Sequence, residues 1–138
     1  MKLNNSIKNI VHWNGPSVKS NDTLQTAIQR MTEGNVSGLL VRQDDTVLGV
    51  ITDWDIMHSL DSGLDPGNTE VGRFMTTCEV MLDREIKSPC VQLDASISIM
   101  DALRLMAGEN VHHLIITGPN DEIGIVSSLD LLKSACTH

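Results

Sequence analysis

The stretch GVITDWD, residues 49–55, occurs a second time as GIVSSLD, residues 124–130. Both read glycine, two aliphatic residues, a hydroxyl residue, two variable residues and aspartate. With the same offset of 75, residues 24–59 (copy one) align with residues 99–134 (copy two) without a gap. Because the hydrophobic pattern is what repeats, we expect both copies to have the same local fold.

Each copy begins with apolar residues at the i, i+3, i+4, i+7 spacing of an amphipathic helix. These residues are Leu24, Ala27, Ile28 and Met31 in copy one and Ile99, Ala102, Leu103 and Met106 in copy two. Two apolar runs around a short polar turn follow, which predicts a β-hairpin. A second short helix is expected to start at the repeated motif. With an apolar lead-in strand, each copy predicts the order strand, helix, strand, strand, helix.

Composition divides the chain into two repeats. We expect a first repeat over residues 1–62, a linker over 63–70 and a second repeat over 71–138. A unit of about 60 residues leaves much apolar surface poorly covered. We therefore expect the two repeats to bury that surface against each other in one α+β fold. The lead-in to copy two is longer, because of an insertion around EVMLDREIK, residues 79–87.

Charge and composition exclude several functions. The net charge of −8 argues against binding to nucleic acid or an anionic membrane, which requires a positive field. No apolar run approaches the roughly 20 residues of a membrane span, and the N-terminus lacks the apolar stretch of a signal peptide. We therefore expect a cytoplasmic protein. The cysteines, Cys78, Cys90 and Cys136, lack CxxC spacing, which favours reduced thiols over disulfides or zinc.

Each motif permits two interpretations. Thr52 with Asp55, and Ser127 with Asp130, have the spacing of a helix capping box, which is sufficient to explain either motif taken singly. The same geometry suits a ligand, because a helix N-terminus and a hydroxyl can donate to phosphate. The aspartate can accept hydrogen bonds from both hydroxyls of a ribose. Two small residues that permit close backbone approach begin the motifs: Gly49 and Gly124.

No enzyme signature stands out, since GxSxG, GxxxxGK[ST] and HExxH are all missing from the sequence. We therefore expect no catalytic residues. His112 and His113 are consecutive strand residues that point to opposite faces, so they are not expected to share a metal ion. The remaining histidines show no ligand spacing, and no binding role is expected for them: His12, His58 and His138.

The chain resembles a tandem CBS-domain pair, also called a Bateman module, from about Ile7 to Ala135. The resemblance rests on the order of elements, the helix centres Ala27–Met31 and Ala102–Met106, and the two G-h-h-[ST]-x-x-D motifs. It implies two β-α-β-β-α repeats packed through their sheets with pseudo-twofold symmetry. It also implies a regulatory or sensing module without catalysis and without a required cofactor.

Members of this family often bind AMP, ADP, ATP or S-adenosylmethionine in clefts between the repeats. By motif position, the resemblance implies that Asp55 and Asp130 hold ribose hydroxyls, and that Thr52 and Ser127 approach phosphate. The residues expected to line the adenine pocket are Ser17, Val18, Cys90 and Val91. The candidates for a basic contact to phosphate are His112 and His113, where copy one has Ser37 and Gly38. Nucleotide-binding members often carry a basic residue just before the motif aspartate, where this chain has Trp54 and Leu129. Their presence disfavours a polyphosphate, so AMP is the ligand expected first.

The resemblance also implies a homodimer formed through the helices that follow each motif. Residues 54–60 and 129–135 carry apolar side chains that suit a buried interface: Ile56, Met57, Leu60, Leu131, Leu132 and Ala135. Signalling is expected through the geometry of this dimer or through an unidentified effector protein. Trp54 is expected to make an exposed-helix contact. The main alternative is a ligand-free structural dimerisation module in which both motifs are only caps, and an undetected hydrolase is the third.

Overall fold

The computed structural model describes residues 2–44, 46–77 and 92–136. The strands are β1 (His12–Trp13), β2 (Ser17–Lys19), β3 (Gly38–Gln43), β4 (Thr46–Thr52), β5 (Thr76–Thr77), β6 (Gln92–Asp94), β7 (His113–Thr117) and β8 (Ile123–Ser127). The helices are α1 (Leu24–Gly34), α2 (Asp53–Asp61), α3 (Ile99–Glu109) and α4 (Ser128–Cys136), with 3₁₀ turns at Val71–Arg73 and Pro119–Asp121. Both copies have the order strand, helix, strand, strand, helix, which confirms the predicted α+β fold.

Matching residues begin and end the first helix of each copy. Thr23 caps α1 by accepting a hydrogen bond from the Thr26 N–H at 3.2 Å, and Ser98 caps α3 in the same way. Asn35 and Asn110 end these helices in the left-handed conformation, with φ of 51° and 56°. Asparagine tolerates that conformation better than most residues. The aligned caps therefore give the two helices the same length.

The described residues form two four-stranded sheets, with strand orders β2-β3-β4-β5 and β1-β8-β7-β6. In each sheet the lead-in strand pairs parallel with the first hairpin strand, and the hairpin itself is antiparallel. Leu39 lies opposite Ile51, and Leu114 lies opposite Val126. Since the registers match, each hairpin delivers its motif to the start of the helix that follows.

The strand β1 lies in the lead-in to copy one but pairs with the hairpin of copy two. It runs antiparallel to β8, with His12 opposite Ile125 and Trp13 opposite Gly124. A strand of two residues has no hydrophobic period, and the sequence did not predict it. The lead-in therefore supplies an edge strand to a sheet whose other strands lie far along the chain.

The strand β5 makes the reciprocal pairing, in the lead-in to copy two. It runs antiparallel to β4, with Thr76 opposite Val50 and Thr77 opposite Gly49. The described residues therefore form a first unit, residues 15–77, and a second unit, residues 2–14 with 92–136. The boundaries expected from composition keep each lead-in with the copy after it, and those repeat boundaries stay a prediction.

Each unit has its own aliphatic core between its helices and one face of its sheet. The first core contains Val18, Leu24, Ala27, Met31, Leu39, Val41, Ile51, Ile56 and Val71. The second contains Ile7, Val11, Ala95, Ile99, Ala102, Met106, Val111, Leu114, Ile116, Val126, Leu131 and Ala135. Burying each large aliphatic side chain contributes about 1.5–3 kcal/mol. The cores thereby hold each motif helix against its hairpin.

Candidate functional site

In the first unit, the motif forms a complete capping box at the start of α2. The Thr52 hydroxyl oxygen accepts from the Asp55 N–H at 3.3 Å. The Asp55 Oδ2 accepts from the Thr52 N–H at 2.9 Å and from the Thr52 hydroxyl at 3.0 Å. The Asp55 side chain stays half-buried, and no described residue donates a hydrogen bond to its Oδ1. Capping therefore uses one carboxylate oxygen and leaves the other.

The Asp55 carboxylate is poorly hydrated for a helix-capping group. Desolvation by burial raises its pKa above the usual 3.8, and the nearby Asp53 adds to that rise. The hydrogen bonds from Thr52 and the charge of His58 oppose the rise without cancelling it. At neutral pH the carboxylate therefore has less hydration than a surface aspartate, and further hydrogen-bond donors would stabilise it.

In the second unit, the motif aspartate has a partner from outside the motif. The Ser127 hydroxyl oxygen accepts from the Asp130 N–H at 3.1 Å, and the Asp130 Oδ2 accepts from the Ser127 N–H at 3.0 Å. The His12 Nε2 lies 3.1 Å from the same Oδ2, and the His12 and Asp130 side chains are 39% and 28% exposed. No ligand-binding role was expected for His12 and that stays a prediction, but this contact with Asp130 was not anticipated from the sequence. The two residues are 118 positions apart, and no spacing rule connects them.

The motif glycines are close to backbone of their own units. A Cβ on Gly49 would lie 2.1 Å from the carbonyl oxygen of Thr76. A Cβ on Gly124 would lie 2.4 Å from a methyl of Val11 and 3.0 Å from the carbonyl oxygen of His12. The edge strands β5 and β1 therefore require both glycines. A ligand contact by either glycine stays a prediction.

The two adjacent histidines differ in environment, but not through strand alternation, because β7 begins at His113 and His112 was wrongly expected to be a strand residue. His113 is buried on β7 opposite Ser127, whereas His112 is exposed just before the strand. The His112 carbonyl accepts from the Ser128 N–H at 2.9 Å, as the Ser37 carbonyl does from Asp53 N–H in the first unit. Of the two, His112 therefore lies beside the start of α4 with an accessible ring.

The residues expected to line an adenine pocket are only partly described. The side chain of Val18 is 1% exposed and lies in the first core, so any ligand contact by Val18 is left to its backbone. Ser17 is half-buried, and its carbonyl accepts from the Arg30 guanidinium. Cys90, Val91 and the insertion at 79–87 lie outside the described residues.

The motif helices turn apolar side chains outward. Trp54 is 62% exposed, as expected, and its ring meets the His58 ring edge-on at 4.9 Å. The other exposed apolar side chains are Met57, Leu60, Leu129 and Leu132. Ile56, Leu131 and Ala135 were expected to lie in a dimer interface. That expectation was wrong, because they face inward into the cores of their own units. Successive residues of an α-helix are rotated by about 100° about its axis, so the inward and outward residues lie on different sides of each motif helix.

The described ranges hold no group of three or more His, Cys, Asp or Glu side chains arranged for a metal ion. Within the same ranges, no helix has the length and apolar character to cross a bilayer. The candidate site is therefore the pair of motif helix N-termini with the aspartate of each.

Comparison with known proteins agrees with this architecture. A family model described as "CBS domain" matches residues 7–62 and 78–136. The CBS domain-containing protein YhcV of Bacillus subtilis is 30% identical over 127 residues, which are 91% of this chain and 82% of that protein.

Solved structures extend the comparison to the fold. An uncharacterized conserved protein from Pyrococcus horikoshii is similar over 100% of this chain and 97% of its own, with a TM-score of 0.79 and 25% identity. The CBS domain pair of protein MJ0100, in complex with 5′-methylthioadenosine and S-adenosyl-L-methionine, covers 94% of each chain with a TM-score of 0.73. At 17% identity, this similarity shows a shared fold and nothing more. The chain belongs to the CBS-domain family and carries two CBS domains, the arrangement of that family's regulatory modules.

Proposed function

We propose that this protein is a non-catalytic sensor that binds an adenosine-containing ligand at the starts of α2 and α4. AMP is the preferred candidate, and ADP, ATP and S-adenosylmethionine are the others. The observation that carries the proposal is the Asp55 carboxylate, which is half-buried, desolvated and bonded through Oδ2 alone among the described residues. A ribose diol supplies the two neutral donors that such a group lacks.

The surroundings of the motif favour a ligand with little negative charge. The residues just before the motif aspartates, Trp54 and Leu129, are exposed and apolar, so neither offers a cation to a polyphosphate. A single phosphate can use the helix N-terminus and the exposed ring of His112. AMP fits this limited set of donors better than ATP. The ligands of the MJ0100 pair, 5′-methylthioadenosine and S-adenosyl-L-methionine, are likewise adenosine-containing compounds.

Binding of AMP, ADP, ATP and S-adenosylmethionine is tested by isothermal titration calorimetry. We expect AMP to bind, Asp55→Ala to remove the binding event at α2, and Asp130→Ala to remove the one at α4. Each substitution also removes a capping contact worth about 1 kcal/mol. A ligand at a hundred times its dissociation constant adds about 2.7 kcal/mol to stability, so thermal shifts provide an independent readout.

Asp101→Ala is the matched control for these substitutions. Asp101 occupies the same position of α3 that Asp55 occupies in α2, and its N–H donates to the Ser98 hydroxyl oxygen at 3.1 Å. Its side chain is 66% exposed and lies outside the repeated motif. The Asp101→Ala substitution should leave AMP affinity unchanged. If none of the four ligands binds, or if Asp101→Ala lowers affinity as much as Asp55→Ala does, the sensor proposal is wrong.

A homodimer formed through the motif helices is part of the same proposal. The exposed apolar side chains of Trp54, Met57 and Leu60 follow one stripe of α2, and Leu129 and Leu132 follow the matching stripe of α4. A second copy of the chain would remove these side chains from water. Sedimentation velocity should report a dimer, and Trp54→Ser with Leu129→Ser should convert it to a monomer. Signalling then runs through the geometry of the dimer or an effector protein in the cytoplasm.

The alternative function is a structural dimerisation module that binds no ligand. The exposed apolar stripes of α2 and α4 also favour this function, and the capping boxes occupy one oxygen of each motif aspartate. Titration separates the two functions, because a structural module dimerises normally while AMP and the other three compounds produce no heat of binding.

A further inference from the structure

The two motif aspartates receive their second hydrogen bond from different sources. In the first unit, both donors to the Asp55 Oδ2 belong to Thr52, one of them a hydroxyl. In the second unit, Ser127 gives the Asp130 Oδ2 a backbone N–H, and the His12 ring supplies the second contact. Because an ionised carboxylate only accepts, the proton of that contact lies on the His12 Nε2.

These two donors differ in how easily they release the carboxylate. A threonine hydroxyl turns about one bond, so it can leave Asp55 and donate to an incoming ligand instead. The His12 ring belongs to β1, whose backbone is paired with β8 opposite Ile125. To release Asp130, the whole imidazole must swing away from the motif.

The position of His12 has a register equivalent in the first unit. His12 lies opposite Ile125 on β8, and Thr76 lies opposite Val50 on β4. Ile125 and Val50 are aligned by the internal repeat. The edge strands therefore place a histidine beside one motif and a shorter threonine beside the other. The difference arises outside the repeated stretches.

We infer that His12 is a specificity-determining residue that occupies Asp130 and makes the second unit the weaker ligand site. The inference rests on the proposed function and adds an order of filling, in which ligand binds at Asp55 first. At Asp130 a ribose hydroxyl must displace the His12 ring before the carboxylate can accept with both oxygens. One chain then responds to its ligand over two concentration ranges.

The test isolates the second site by removing the first. AMP is titrated calorimetrically into Asp55→Ala and into Asp55→Ala with His12→Thr, which gives β1 the residue that β5 carries. We expect the double variant to bind AMP about tenfold more tightly, the value of one charge-assisted hydrogen bond no longer displaced. Circular dichroism checks that both variants are folded.

The matched pair for this test is Asp130→Ala with and without His12→Thr. Binding there takes place at Asp55, so His12→Thr should leave AMP affinity unchanged, which a general disturbance of the fold would not do. If His12→Thr fails to tighten binding in the Asp55→Ala background, or weakens it, the inference is overturned while AMP binding by Asp130→Ala preserves the proposed function. If AMP binds to neither the unaltered protein nor any variant, both are overturned.

Discussion

The two copies share a fold but differ in the surroundings of their motifs. In copy one, the hydrogen bonds that described residues donate to the Asp55 carboxylate come from Thr52, within the motif itself. In copy two, the Asp130 carboxylate also contacts His12 of the N-terminal lead-in. The repeated stretches therefore determine the local fold, and the lead-in segments determine how the two motifs differ chemically.

The ends of the motif helices differ for a related reason. Leu60 in α2 is 49% exposed, whereas the aligned Ala135 in α4 is fully buried. The Lys2 N–H donates to the Ala135 carbonyl at 3.0 Å, and Leu3 packs against the second core. The N-terminal segment thus covers the end of α4. A small residue suits that covered position, and a large one is accommodated at the open position in α2.

The largest effect on stability is expected when the glycines in close contact with the edge strands are substituted. Gly49→Ala would place its Cβ against the Thr76 carbonyl oxygen, so β5 must separate from β4, and we expect a loss of about 3 kcal/mol. Gly124→Ala meets a Val11 methyl first and should cost less. Gly108→Ala, with open space around it in α3, should stabilise by about 0.5–1 kcal/mol. Urea unfolding measures all three, and equal costs at Gly49 and Gly108 would contradict the assigned contacts.

Exchanging the helix-end residues should give the next largest effect. Ala135→Leu adds volume where the side chain has no exposure, and we expect it to cost about 2 kcal/mol. Leu60→Ala removes a half-exposed side chain and should change the stability of the isolated chain by only about 0.5 kcal/mol. Denaturant midpoints at low protein concentration test the pair. A well-tolerated leucine at 135 would mean that the N-terminal segment does not cover α4.

Removing the hydroxyl from each cap should have a smaller effect. Thr52→Ala removes the acceptor for the Asp55 N–H and a donor to the Asp55 carboxylate. We expect this substitution to lower the free energy of unfolding by about 1 kcal/mol. Ser127→Ala loses the acceptor alone, since His12 supplies the other contact, and should cost less. Thr52→Ser keeps the hydroxyl and serves as the control. A larger loss of stability for Ser127→Ala than for Thr52→Ala would contradict the proposal that His12 supplies the second contact to Asp130.

The smallest effect is expected in the pH dependence of stability. Burial raises the folded-state pKa of Asp55 above its unfolded value of 3.8, so the folded protein binds its proton more tightly. The stabilising contribution of that proton is complete below pH 3.8 and disappears as pH rises through the folded-state pKa. The stability of Asp55→Asn relative to the unaltered protein should therefore increase with pH across this window. Urea unfolding at successive pH values measures it, and a difference that decreases with pH would contradict the desolvation of Asp55.

Local periodicity was sufficient to predict most of the fold. The spacing of Leu24, Ala27 and Met31 predicted a buried face of α1, and these residues lie in the first core. Thr23 and Asn35 begin and end that helix, as the cap chemistry of threonine and asparagine favours. Each of these signals lies within a few residues of the structure it determines. The capping geometry of Thr52 with Asp55 could be predicted from the sequence for the same reason.

The contacts that the sequence did not predict join distant segments. β1 and β5 are too short to carry a period, and their partners are determined by tertiary packing. The contact of His12 with Asp130 depends on that pairing, so it was not predictable from spacing. The outward residues of α2 and α4 were partly misassigned because apolar character alone does not tell which side of a short helix faces the core. The 3.6-residue period separates Ile56 from Trp54 and Met57 and would have corrected this.

The pairing of β1 with β8 has a consequence for the order of assembly during translation. Residues 2–14 leave the ribosome before the strand they join and the helix end they cover are synthesised. The first unit is continuous in sequence and can fold while the rest is being made. Until α4 emerges, Ile7 and Val11 have no core to enter and are the apolar segment that a chaperone would meet.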